Sequence, residues 1–163
     1  MLVQAALYKK ELTSAFQSKF YSEDMFLTTA SRCNWCPNID EDGCSGEGNF
    51  QYAIVNDKGK LIGYFGYIVD WYCSKAYNFG LMSFDKGNVR VGQDVFNEMS
   101  KLLDNLHRIE WRAVSGNPAC DAYDRFIAKH GGAKHVLKDA IRDQKGMYHD
   151  DIIYEIVKGA NCR

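Results

Sequence analysis

The sequence Cys33-Asn-Trp-Cys36, with Cys44 eight residues further on, has a spacing that can do chemistry. Two thiolates three positions apart form a proper metal-ligand pair, and a third thiolate plus Cys73 or a histidine would close a tetrahedral zinc site. A second Cys-x-x-Cys is missing, however, and Met1 to Tyr8, apolar but short and followed by Lys9, Lys10 and Glu11, reads as a first strand rather than a secretory signal. In that setting the expectation is reduced thiols in a loop, with no metal. A second candidate is Glu110, which lies between Arg108 and Arg112 on a strand of alternating polarity. It reads either as a half-buried carboxylate with a raised pKa or as one arm of a salt bridge to Arg108 or Arg112.

These residues need elements to position them. Leu2 to Tyr8 reads as a short strand. Glu11 to Ala30 reads as helix, with apolar side chains at Leu12, Phe16, Phe20, Met25 and Phe26 and a break near Tyr21 to Asp24. Ser31 to Gly48 is rich in Cys, Asn, Asp, Glu and Gly and reads as an acidic insertion, about 31–48. Gln51 to Asn56 and Leu61 to Asp70 form a hairpin across the turn Asp57-Lys58-Gly59-Lys60. Ala76 to Phe84 is a third strand, in which Gly80 suggests a bulge or a close backbone approach. Val91 to Leu106 has helical spacing, and Arg108 to Val114 alternates, with Ile109, Trp111 and Ala113 to one side. A turn at Ser115-Gly116-Asn117-Pro118 leads into a helix that ends at Gly131-Gly132, with Asn117 as its N-cap. Strands at Lys134 to Asp143 and Tyr148 to Val157 close the chain. The order is β-α-α-β-β-β-α-β-α-β-β. It implies an α/β (α+β) fold with a mixed, mostly antiparallel sheet and helices on both faces. The strand–helix–strand from Ala76 to Val114 is expected to be a right-handed crossover between parallel neighbours.

Composition narrows the classes of function. The 163 residues suit one domain, read as spanning residues 1–163, and 46% hydrophobic with 25% charged residues is ordinary for a packed core. Twenty Lys and Arg against 21 Asp and Glu give a net charge of −1, which disfavours duplex nucleic acid as the main partner. No apolar run reaches membrane-spanning length, so no membrane partner is expected and the location reads as cytoplasmic. A homodimer is left open.

The element order resembles the GNAT superfamily of N-acetyltransferases over nearly the whole chain. The matching stretches are GLMSFDKGNVRVGQDVF (Gly80 to Phe96) and SGNPACDAY (Ser115 to Tyr123), and the ending GMYHDDIIYEIV is also similar. The resemblance implies direct acetyl transfer from acetyl-CoA to an amine, on a small molecule or a peptide. It implies that Met82, Ser83 and Phe84 pair with the pantetheine arm, and that Asn88, Val89, Arg90, Val91, Gly92 and Gln93 hold the pyrophosphate. A loop of backbone N–H groups at a helix N-terminus is a ready anion site. The family's loop pattern is Gln or Arg, two residues, Gly, one residue, then Gly or Ala. Aligned with Gly92 as last glycine, it puts Gly87 at the basic position and Arg90 at the first glycine. A register shifted by two puts Gly92 first and Asp94 last.

By the same resemblance, Asn117 contacts the cofactor and Tyr123 protonates the departing thiolate, the two lying six residues apart. A phenol suits that role because it holds its proton until needed. Read without the resemblance, Tyr123 is a half-buried helix residue. Glu110 is the first choice for the base, with Asp70 and His149 behind it. The acidic insertion, with Trp35, Asp40, Glu41 and Asp42, is expected to cover the acceptor end of the cleft and favour a cationic amine. The alternative is a domain of the same fold that binds CoA or a partner without catalysis.

Overall fold

A computed structural model describes residues 1–20, 38–41, 44–45 and 48–159. The N-terminal apolar run divides: Leu2–Gln4 is strand β1, and Ala5–Tyr8 tightens into a 3-10 turn that leads into helix α1, Lys9–Phe20. The sequence's single strand to Tyr8 is therefore too long. Ala5 is wholly buried there, and a turn places it against the sheet where an extended chain would run past. The helical reading beyond Phe20, Cys33, Cys36 and most of the insertion lie outside the described residues.

Within the insertion, Cys44–Ser45 forms a two-residue strand, β2, paired with the start of β3, Asn49–Val55. Strand β4, Leu61–Asp70, has the limits read from the sequence, and β5 runs Lys75–Ser83. Helix α2, Val89–Asn105, begins two residues earlier than its apolar spacing indicated, because the Asn88 side chain accepts from the Arg90 N–H at 3.1 Å and caps it. Strand β6 is Arg108–Val114, helix α3 Cys120–His130, and β7 and β8 are Ala133–Arg142 and Tyr148–Val157.

The strands form one sheet in the order β1-β3-β4-β5-β6-β8-β7, with β2 beside β3. Every pairing is antiparallel except β5 with β6, which is parallel. Alternation along β4 sorts the two faces. Phe65, Tyr67 and Val69 face the layer of α2 and α3, while Tyr64 faces α1. On α2, Val91, Val95 and Met99 recur every fourth residue and are buried. On α1, Leu12 and Phe16 do the same, each side chain contributing roughly 1.5–3 kcal/mol of burial. Helices thus cover both faces, as the sequence implied. No described helix is long and apolar enough to cross a membrane.

Candidate active site

Strands β5 and β6 pair only at Lys75↔Arg108 and Ala76↔Ile109, although β5 continues to Ser83 and β6 to Val114. Beyond that point they part, and the cause lies in β5. Opposite β4 the register shifts between Gly66 and Ile68, so two β5 residues, Asn78 and Phe79, face the single Tyr67. Asn78 takes a positive φ of 54°, the extra residue of a bulge. The bulge anticipated at Gly80 thus sits two residues earlier. It flips the alternation, so Ala76 and Phe79 both reach the core.

The consequence for the backbone is specific. Phe84 donates its N–H to the Ile62 carbonyl at 2.9 Å, so Phe84, Met82 and Gly80 direct their polar groups at β4. Leu81 and Ser83 therefore direct theirs the other way, into the space β6 has vacated. The Met82 side chain is buried on the α1 side, and Phe84 packs beside it against Phe16, with ring centroids 5.8 Å apart.

On the sheet face that carries α1, the start of this opening broadens into a cleft of about 900 Å³. Glu110 lies in it. Its direct cross-strand neighbour is Glu155, so two carboxylates stand side by side. Such a pair repels unless a cation intervenes. Arg108 does so, with Nη2 2.9 Å from Glu110 and 2.7 Å from Glu155. Lys75 approaches Glu110 at 3.4 Å, and His135 Nε2 lies 2.9 Å from Glu155. The salt bridge from Glu110 to Arg108 is therefore present, whereas Arg112 turns to Asp151 at 3.4 Å. Burial pushes the Asp151 carboxyl above its ordinary pKa, and its Oδ1 has no hydrogen-bond partner among the described residues.

Tyr123 is on the opposite side of the sheet. Its ring sits among Trp111, Phe96 and Tyr154, with centroids 5.8, 5.9 and 5.5 Å away. Burial holds its phenol well above the ordinary tyrosine value, and Cys120 beside it adds to the shift. Strand alternation explains the division, since Trp111 and Glu110 are adjacent on β6 and must point to opposite faces. The Trp111 indole Nε1 is buried and has no partner among the described residues. Only a group that threads the sheet between β5 and β6 could touch both sides.

The loop before α2 has mixed features. Gly87 has a positive φ of 83° with nothing within 4 Å of where a Cβ would sit, and at Gly92 a Cβ would meet only Phe96 at 4.0 Å. The backbone is thus open to close approach. Two of the first helix donors are engaged, however: the Arg90 N–H by the Asn88 side chain and the Val91 N–H by the Asn88 carbonyl at 3.2 Å. The Arg90 guanidinium is drawn to Asp57 of the β3–β4 turn. Each partner stabilises the other's charge, so Asp57 is held below and Arg90 above its ordinary pKa. Val89 is exposed on the first turn and Gln93 lies in its second.

Asn117 Oδ1 accepts from the Ala119 N–H at 2.9 Å, so it caps a turn ahead of α3, which begins at Cys120. Asp70 accepts from the Cys73 N–H at 2.9 Å, and His149 lies 3.1 Å from Asp143; neither lines the cleft. Cys73 and Cys120 carry free thiols, and the described residues contain no grouping able to hold a metal. Sequence reasoning did not single out Lys75, His135 or Glu155. The polar positions of Tyr-Glu on β8 were visible in it, but not their register against β6.

No protein-family profile matches the sequence, and no curated protein is similar to it. Solved structures do resemble it. Spermidine N-acetyltransferase from Vibrio cholerae, in complex with CoA and spermine, superposes with a TM-score of 0.65 at 14% identity, covering 100% of this chain and 98% of that one. A putative phosphinothricin N-acetyltransferase gives a TM-score of 0.65 at 13% identity, covering 96% and 97%. A probable acetyltransferase gives 0.52 at 19%, covering 68% of this chain and 63% of that one. At such identities the likeness is one of fold. The chain has the GNAT N-acetyltransferase fold, as its element order suggested.

Proposed function

We propose that the chain is an acetyl-CoA-dependent N-acetyltransferase that works by direct transfer to an amine. The observation that carries this reading is the opening between β5 and β6, flanked by Glu110 on one face and Tyr123 on the other. An extended arm bearing amides suits the polar edge of Leu81 and Ser83, as a strand suits a sheet edge. The open backbone at Gly87 and Gly92 leaves room for phosphates at the start of α2, where Asn88, Val89, Arg90, Val91 and Gln93 surround them. Asn117 would stand at the far side of the arm.

Acetyl-CoA supplies an activated acetyl thioester. Glu110, oriented by Lys75 and Arg108, receives the proton of the acceptor nitrogen. On the other face Tyr123 donates a hydrogen bond to the departing sulfur. Its raised pKa keeps the phenol protonated, so it is ready as a donor at every working pH. The aromatic walls exclude water from that side.

The second reading, a cofactor-binding module without catalysis, is favoured by the Arg90–Asp57 pair and the Asn88 cap, which already occupy groups meant for phosphate. Calorimetric titration with acetyl-CoA, followed by thiol release with amine acceptors, separates the two. Binding at micromolar affinity with turnover supports the enzyme. Binding without turnover on any amine supports the module, and no heat at millimolar ligand removes both.

A further inference from the structure

Resting on the acetyltransferase reading, we infer that the acceptor is a primary amine carrying its own acidic group, such as an amino acid, and not a polyamine. The cleft's charges point that way. Its lining includes three cations, Lys75, Arg108 and Arg112, against two carboxylates, Glu110 and Glu155. Both carboxylates already have partners: Glu110 has the cations Lys75 and Arg108, and Glu155 has the cation Arg108 and the His135 ring nitrogen. A polyamine would bring, beyond its reacting amine, further positive charges that find no carboxylate among the lining residues without a partner already.

An acid-bearing amine meets the opposite situation. Among the described residues the one ion-pair partner of Arg112 is Asp151, at 3.4 Å. Its side chain is about one-third exposed, and a guanidinium can form two parallel bonds to a carboxylate. Glu110 and Arg112 lie two residues apart on one face of β6, about 6.6 Å along the strand. A short amino acid can place its amine by the first and its acid by the second. Of the described acidic residues before β3, Asp40 accepts from Asn49 at 2.8 Å and Glu41 is paired with Lys9 at 3.7 Å, and neither lines the cleft. In the transfer, the acceptor nitrogen bonds to the acetyl carbon and the carbon–sulfur bond breaks. Of the three ammonium protons, one is lost to solvent before attack, one passes to Glu110 as the new bond forms and is balanced by the proton the sulfur takes up to leave as the thiol, and one stays on the amide nitrogen.

The test uses the purified full chain with saturating acetyl-CoA. Thiol release is followed with a set of free amino acids, with spermidine, and with a simple alkylamine lacking the acid. The inference expects kcat/KM for some amino acid at least tenfold above both other amines. It also expects Arg112→Gln to raise KM for that amino acid at least tenfold more than for the alkylamine, with Arg112→Lys restoring part of the loss. Preference for spermidine overturns the inference, as does turnover of neither class while calorimetry still shows acetyl-CoA binding. Absence of acetyl-CoA binding instead overturns the underlying reading, and the inference with it.

Discussion

Tyr123 and Arg108 hold the two sides of the site for different physical reasons. The Tyr123 ring fills a slot among Phe96, Trp111 and Tyr154, so its removal would leave a void, whereas loss of the hydroxyl alone would not. Tyr123→Phe is therefore expected to keep the melting temperature and acetyl-CoA affinity while lowering kcat about 100-fold, the usual scale for a lost acid. Equal turnover in a steady-state assay would remove the role. Arg108 keeps two neighbouring carboxylates apart electrically. Arg108→Ala should destabilise the fold by roughly 1–2 kcal/mol in urea unfolding, less at high salt because the groups are partly exposed. At this scale the sequence was half legible. The alternation of β6 marked Glu110 and offered Arg108 or Arg112 as its partner, without choosing between them. Glu155 was not visible as its neighbour, because that contact depends on which strand lies beside β6.

At the scale of elements, Gly131 and Gly132 were read together as a helix stop, yet they do different things. Gly131 adopts φ 70° and ends α3 in the left-handed conformation, its N–H donating to the Ile127 carbonyl. Gly132 is a packing position: a Cβ there would stand 2.5 Å from the Glu155 carbonyl oxygen and 2.7 Å from Ile156. Gly132→Ala should cost about 1–3 kcal/mol by denaturant titration, because a backbone atom on β8 would have to move. The β7–β8 turn gives a pH-dependent test. Asp143 accepts from the Lys145 and Met147 N–H groups at 2.9 and 2.8 Å and pairs with His149. These contacts, His149 first, hold its carboxyl below its ordinary pKa. A depressed carboxylate stabilises the fold above its unfolded value, and that contribution fades as pH falls through the folded value. Asp143→Ala should thus lower the melting temperature at pH 7, and the gap to the parent should narrow below pH of about 3 to 4. An unchanging gap would contradict the assignment. Strand limits such as Leu61–Asp70 were readable because turn residues bracket them. The bulge at Asn78 was not, since nothing local in Tyr77-Asn78-Phe79 demands a positive φ.

For the whole molecule, the decisive feature is that a parallel pair of strands opens after two residues inside an otherwise continuous sheet. The element order implied the parallel pair, but the opening arises from a bulge and from β6 committing its full length to β8. On the proposed reading the arm would meet Leu81 and Ser83, whose polar groups face the gap, while Met82 and Phe84 of the span expected from the resemblance direct theirs to β4. The most direct measurement is amide hydrogen exchange along β5, with and without acetyl-CoA. The account predicts that the Leu81 and Ser83 amides, which face the gap, exchange at least tenfold more slowly in its presence. Gly80 and Met82, already bonded to β4, should change little. Unchanged exchange at Leu81 and Ser83 under saturating acetyl-CoA would contradict the claim that the opening between β5 and β6 receives it.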